Sequence, residues 1–442
     1  MTNESEQRKE LINLDDDGFQ LALSANLHNR GLELLDSDRK PKLRKLLFPK
    51  SLVGSVQELP RLSSRVGYSL FLGSRIFSNS TDARDAVGEI EIPSSQQCAV
   101  WLRLESSAAD VLAIRGLRDS DVVELTIHDD DNFDLSDALI DALNSLGCSF
   151  SINIHQELSK DLLLRFGKLS RIAFFKAWED GLREDWLYEA FGNREAPQMI
   201  EIKKLQWTSA GALFSKLKGV KGLCLEFQVI DESTCRNLSR MTEVEDLSLL
   251  TSDRGYDILT SSLSNLVSLE IGGRSLTDAG LQCVNHLAKT LQLLKISYAH
   301  QVVGPGLSQL ASCGGLTELE LVHGGLTDET IRHLSELPRL SKLRLIALEK
   351  LRGPGLQYLW KAPNLRYLGL YRQHLDVSAL QFLPPMENIE TVSGNGVLDL
   401  MPLYRLPKLM HLYWSREGQL DPQVFDRNRQ QLGFPELFSA QS

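Results

Sequence analysis

A six-residue pattern with apolar residues at its first, fourth and sixth positions recurs along this chain. It reads LVSLEI at 266–271, LQLLKI at 291–296, LTELEL at 316–321, LSKLRL at 340–345 and LRYLGL at 365–370, with starts 25, 25, 24 and 25 residues apart. Looser copies follow at NIETVSG (388–394) and LMHLYW (409–414). Earlier ones are VWLRL (100–104), VVELTI (122–127), FSINI (150–154), LSRIAF (169–174), MIEI (199–202), GLCL (222–225) and VEDLSL (244–249), making about fourteen in all. A chain of 442 residues is too long for one compact core, so it divides into domains or grows along one axis. The regular recurrence selects growth along one axis.

Within each copy, alternate residues such as Leu319 and Leu321 point to one face of a short strand, and Glu318 and Glu320 to the other. One such strand cannot bury its leucines alone. Stacking the copies as a parallel sheet makes a continuous core and closes the backbone hydrogen bonds from copy to copy. Each strand is followed by a segment of helical spacing. In LTDAGLQCVNHLA, Leu281, Val284 and Leu287 recur at i, i+3 and i+6, Thr277 fits an N-cap and Asp278 suits the positive end of a helix. LTDETIRHLSEL repeats this with Ile331, Leu334 and Leu337, 50 positions further on. The copies between them carry GPGLSQL (304–310) and GPGLQYL (353–359), so two repeat types alternate. Pro305 and Pro354 predict helix starts after tight turns.

With these motifs in view, about three quarters of the chain resembles the leucine-rich repeat family, in particular the ribonuclease-inhibitor-like and bacterial "LTDAGL" repeat types. The resemblance implies an α/β leucine-rich repeat solenoid: a horseshoe with a parallel sheet on its concave face and mostly helices on its convex face. The expected organisation is an N-terminal cap or small non-repeat domain at 1–92, the repeat array at 93–415 and a C-terminal cap at 416–442. Residues 1–92 lack the motif and mix helix-like text (19–35) with a strand-like segment (67–78). A solenoid needs its first apolar layer covered, which a cap would do.

Charge and cysteine usage narrow the function. The formal net charge is −10. Residues 1–92 hold 13 Lys+Arg against 14 Asp+Glu, leaving 35 against 44 in the remainder, so the acidity belongs to the array. That disfavours a nucleic-acid partner, whose phosphates call for a basic surface. The beginning, MTNESEQRKELINLDDDGF, predicts no secretory signal. The strongest apolar stretch, YSLFLGSRIF at 68–77, is too short for a membrane span and carries Arg75. The six cysteines (Cys98, Cys148, Cys224, Cys235, Cys283, Cys313) form no CxxC pair. They read as reduced thiols in a cytoplasmic protein, Cys224 alone pointing outward from its strand.

Motifs for chemistry do not survive comparison with their templates. NLDDDGFQLALS (13–24) puts Asn13, Asp15, Asp17 and Gly18 near calcium-loop positions but ends in Ser24 where a bidentate glutamate belongs. In HDDDNFDLSD (128–137), Asp134 or Ser136 is read as a helix cap. The GPG turns are not phosphate loops, and no GxSxG, HExxH or zinc-ligand spacing occurs. The basic run DRKPKLRK (38–45) with Lys50 reads as a solvated face flanked by acids, with contact to an anionic ligand left open. No cofactor, metal or catalytic residue is expected.

The function read from this is a non-catalytic protein-binding module or adaptor working through the concave sheet, of the kind an inhibitor or immunity-type partner of an enzyme would be. The alternative is an enzyme or effector with its activity in residues 1–92 and the repeats as substrate receptor. The sequence leaves the partner's identity and the oligomeric state undetermined. Rows of non-core side chains can be read across the strands. The first runs Glu318, Lys342, Tyr367, Thr391, His411; the second Glu320, Arg344, Gly369, Ser393, Tyr413; the third Val322, Ile346, Tyr371, Asn395, Ser415. Opposite charges at 318 and 342 and at 320 and 344 predict a salt ladder. Tyr367, Tyr371, Tyr413 and His411, with Lys342 and Arg344, are the candidate partner-binding residues, since the core does not need them and tyrosine is frequent at binding hot spots.

Overall fold

The computed structural model describes residues 43–434 except 50–53, 60–83, 86–87, 94–96, 103–107, 128–134, 179, 374, 377, 385–387, 395–400, 407–410 and 413–421. The helix-like text at 19–35, the strand-like text at 67–78, the aspartate-rich segment at 13–24, most of the basic run, Tyr413 and Asn395 lie outside the described residues. The chain forms two compact units, residues 1–226 and 227–442.

In the first unit, β1 (Leu43–Phe48) pairs antiparallel with β4 (Gly88–Pro93), and β2 (Gly54–Leu59) pairs antiparallel with β3 (Arg84–Asp85) and with β5 (Gln97–Leu102). From β5 the sheet continues in parallel through β6 (Val122–Ile127), β7 (Ser149–Ile154), β8 (Ile172–Ala177), β9 (Met199–Ile202) and the first half of β10 (Gly222–Val229). Short α-helices follow β5 to β8: Ala108–Ala113, Asp137–Ser145, Lys160–Phe166 and Glu184–Phe191. Ser136 caps the second, its hydroxyl accepting from the Leu139 N–H, as its position predicts.

The second unit repeats the scheme with β11 (Asp246–Leu250), β12 (Ser268–Gly272), β13 (Leu293–Ser297), β14 (Glu318–Val322), β15 (Lys342–Ile346), β16 (Tyr367–Gln373), β17 (Asn388–Gly394) and β18 (His411–Leu412), parallel and in chain order. Leu319 lies opposite Leu294 and Leu343, and Leu321 opposite Ile296 and Leu345, in rows that are almost wholly buried. Each such leucine contributes on the order of 1.5–3 kcal/mol on burial. The connecting segments at 280–287, 305–312, 328–336 and 354–361, read from the sequence as helical, are 3₁₀ helices. Leu281, Val284 and Leu287 recur every third residue, which matches 3.0 residues per turn. An α-helix would have placed its stripe at i, i+3, i+4 and i+7.

A second device ties one repeat to the next. The Asp278 carboxylate accepts from the backbone N–H groups of Val303, Gly304 and Gly306 at 3.1, 3.1 and 2.8 Å, and Asp328 does the same for Arg352, Gly353 and Gly355 at 2.9, 2.9 and 2.7 Å. The LTD aspartate therefore caps the GPG helix of the following repeat, not its own. Gly304 and Gly353 hold φ of 136° and 131°, a region only glycine occupies freely. At the chain's far end the buried Arg429, on the helix Pro422–Gln431, donates to the carbonyls of Leu403, Tyr404 and Leu406 after the short helix Met401–Tyr404.

Candidate functional site

Helices flank one side of the sheet; the other side, the open face, carries every second strand residue. In the second unit it begins with Asp246, whose burial pushes its carboxyl up to about 6, a hydrogen bond to Ser268 acting against. Glu270 follows, accepting from the hydroxyls of Ser248 and Ser297 at 2.8 Å each and pairing with Lys295 at 3.3 Å. Burial would raise the Glu270 carboxyl, but Lys295 and the two serines outweigh it and hold it low.

Across β14, β15 and β16 the rows are those read from the sequence: Glu318, Lys342, Tyr367; Glu320, Arg344, Gly369; Val322, Ile346, Tyr371. The salt ladder is present, with Lys342 to Glu318 and Arg344 to Glu320 at 3.4 Å each. Tyr367 and Tyr371 occupy their expected row positions, but they are only 7% and 8% exposed. For Tyr367 the reason is that its neighbours fold over it: the Lys342 ammonium is 5.1 Å and the Arg344 guanidinium 5.6 Å from its ring centre. Its hydroxyl has no hydrogen-bond partner among the described residues.

Beyond β16 the rows shift. Asn388 lies opposite Tyr367 and Glu390 opposite Gly369, where the sequence reading placed Thr391 and Ser393. NIETVSG lacks leucines at the motif spacing, and the pairing of β16 with β17 contains irregularities after Gly369 and Leu370. His411 rejoins the first row, opposite Asn388. Tyr413 lies outside the described residues, so the structure brings together Lys342, Arg344, Tyr367 and Tyr371, with His411 two strands further on.

The open face of the first unit carries polar residues that sequence reasoning did not single out: Glu124, Asn153, Lys176 and Glu201, each less than a tenth exposed. Their motif copies are the loose ones. In LSRIAF a register shift puts Phe174 opposite Ser151, on the open face, where the pattern made it a core residue. Cys224 lies opposite Glu201 and is half-buried, as its position predicted. The other five cysteines are buried, and burial pushes the thiols of Cys148 and Cys283 up to about 12. Among the described residues no three His, Cys, Asp or Glu side chains converge on a metal-sized site, and no helix is long and apolar enough to cross a membrane.

One strand and one short helix per turn, stacked in parallel on a leucine core, make this an α/β leucine-rich repeat solenoid. No protein-family profile and no curated protein matches the chain. Solved structures similar to it include the yeast complex of Rad7 and Elc1, at 21% identity and TM-score 0.47, covering 65% of this chain and 80% of that one. An internalin, inlF, from Listeria monocytogenes is similar at 14% identity and TM-score 0.40, covering 70% and 88%. The TLR13–ssRNA13 complex matches at 16% identity and TM-score 0.42 over 68% of this chain and 45% of that one. These are likenesses of fold alone.

Proposed function

We propose that this chain is a non-catalytic protein-binding module that receives its partner on the open face of the second unit, at Lys342, Arg344, Tyr367, Tyr371, His411 and Tyr413. The observation that carries this is Tyr367. It lies off the leucine rows, two cations clasp its ring, and its buried hydroxyl lacks an acceptor among the described residues, a cost to the isolated chain that an acceptor on a partner would offset. A protein fits better than a nucleic acid because the net charge is −10. An inhibitor or immunity-type role toward an enzyme with a basic surface agrees with the acidic array, which would steer such a target. The cytoplasm is the proposed compartment, in keeping with six free cysteines.

The test is affinity capture from native lysate with the intact chain, with Tyr367, Tyr371 and Tyr413 changed together to Ala, and with Tyr367→Phe, each checked by thermal melting. The Phe variant keeps the ring and loses only the hydroxyl. It is expected to remain folded and to bind about 5- to 30-fold more weakly, the equivalent of one hydrogen bond. Unchanged capture by both folded variants would refute the assignment of this face.

A further inference from the structure

On the open face of the first unit one carboxylate is left incompletely partnered. Glu124 lies on β6, opposite Trp101 on β5 and Ser151 on β7. It is 5% exposed. The Thr126 hydroxyl donates to one of its oxygens at 3.2 Å, and the other oxygen has no hydrogen-bond partner among the described residues. The adjoining row runs Thr126, Asn153, Lys176, Glu201. There Lys176 pairs with Glu201, and its ammonium also lies 3.9 Å from the centre of the Trp178 ring. Trp178 is held in place by its indole N–H, which donates to the Asn153 side-chain oxygen at 3.2 Å, and by His155 stacked at 5.8 Å.

The charges here do not balance. Lys176 pairs with Glu201, so among the described residues Glu124 is the charged side chain buried on these strands that has no ion pair. A buried carboxylate oxygen with no donor is unfavourable, and native structures normally supply a partner. Burial pushes the Glu124 carboxyl up to about 7, with the Thr126 hydroxyl and the Lys176 charge acting against it. The group is therefore poised to give up its proton when a cation arrives.

We infer that Glu124 anchors one basic side chain, lysine or arginine, of a protein partner, received on the open face beside the β5 strand position of Trp101. The site rests on the protein-binding reading above and names the chemistry of the partner it takes. A basic group supplies the missing donor and charge. The excess of acids in the array draws such a partner in.

The experiment uses the full chain labelled with ¹³C at the glutamate side-chain carboxyls. The Glu124 signal is identified by its loss in Glu124→Gln, or in Glu124→Asp should the glutamine variant not fold. N-acetyl-arginine methylamide is the probe, and N-acetyl-glutamine methylamide the neutral control at equal ionic strength. With saturating arginine probe the Glu124 midpoint is expected to move about one pH unit lower, a tenfold preference of the cation for the ionised form, while the neutral control leaves it in place. A midpoint that stays put, or that shifts equally with both probes, overturns the site. Either result is independent of the tyrosine variants: loss of capture by those variants with an unresponsive Glu124 removes this anchor and leaves the protein-binding reading standing. A responsive Glu124 with capture unchanged by those variants moves the partner to the first unit.

Discussion

The carboxylate of Asp278 accepts a 2.8 Å hydrogen bond from the backbone N–H of Gly306, 28 residues further along the chain and one repeat away. The same bond joins Asp328 to Gly355 at 2.7 Å. A side chain of one repeat thus completes the backbone of the next, so the repeats are coupled through their turns as well as through the leucine core.

Asp278→Ala should leave three N–H groups of the next turn without their acceptor. The expected loss is about 1–3 kcal/mol, the cost of a lost helix cap with two part-buried donors. Asp328→Ala should cost the same, and the two losses should add to within about 0.5 kcal/mol if the sites act independently. Urea midpoints of the two single variants and the double variant measure this; a loss under about 0.5 kcal/mol in both singles would mean that the bonds contribute little.

The close approach also explains the second glycine of each GPG turn. A Cβ at Gly306 would collide with the Asp278 carbonyl oxygen, and one at Gly355 with that of Asp328. Gly306→Ala should therefore destabilise by more than about 2 kcal/mol, whereas Gly314→Ala, where a Cβ meets nothing within 4 Å, should stay within about 0.5 kcal/mol of the parent. Equal melting temperatures for the two variants would contradict the packing.

Glu184 performs the corresponding task in the first unit. Its buried carboxylate accepts from the N–H groups of Thr208, Ser209, Leu213 and Phe214 and from the Ser209 hydroxyl. Burial acts to raise this carboxyl, but the hydrogen bonds prevail and hold it below its ordinary value of 4.5. The folded value is the lower one, so its contribution is fully present above the unfolded pKa and is lost as pH falls through the folded value. Glu184→Gln should be less stable than the parent by about 2 kcal/mol near neutral pH, with the gap closing as the pH is taken below about 4. A gap that does not change with pH would show that the charge of Glu184 is not what matters.

Where leucines occupy the first, fourth and sixth positions, the sequence specifies register residue by residue, because a one-residue slip would turn Leu343 and Leu345 out of the core. That is why the rows through Lys342, Arg344, Tyr367 and Tyr371 are legible from the sequence alone. The register fails to read at β8 and β17, where the motif is loose and an irregular pairing leaves the leucine rows unmarked. Cross-repeat bonds such as Asp278 to Gly306 are invisible to a local reading, which assigns a capping aspartate to its own helix. The covering of Tyr367 depends on how Lys342 and Arg344 fold across neighbouring strands, and the isolation of Glu124 on which cation its neighbours have already claimed. Neither is a property of spacing along the chain.

The proposed partner contact is with the open face of the second unit. Photo-crosslinking tests it directly, with p-benzoyl-phenylalanine placed at Val322, on the third open-face row and half-buried, or at Trp360, which is 60% exposed on a connecting 3₁₀ helix. The expected result is a partner adduct from position 322 that weakens with Tyr367→Phe, and none from position 360. An adduct from position 360 with none from position 322 would contradict it.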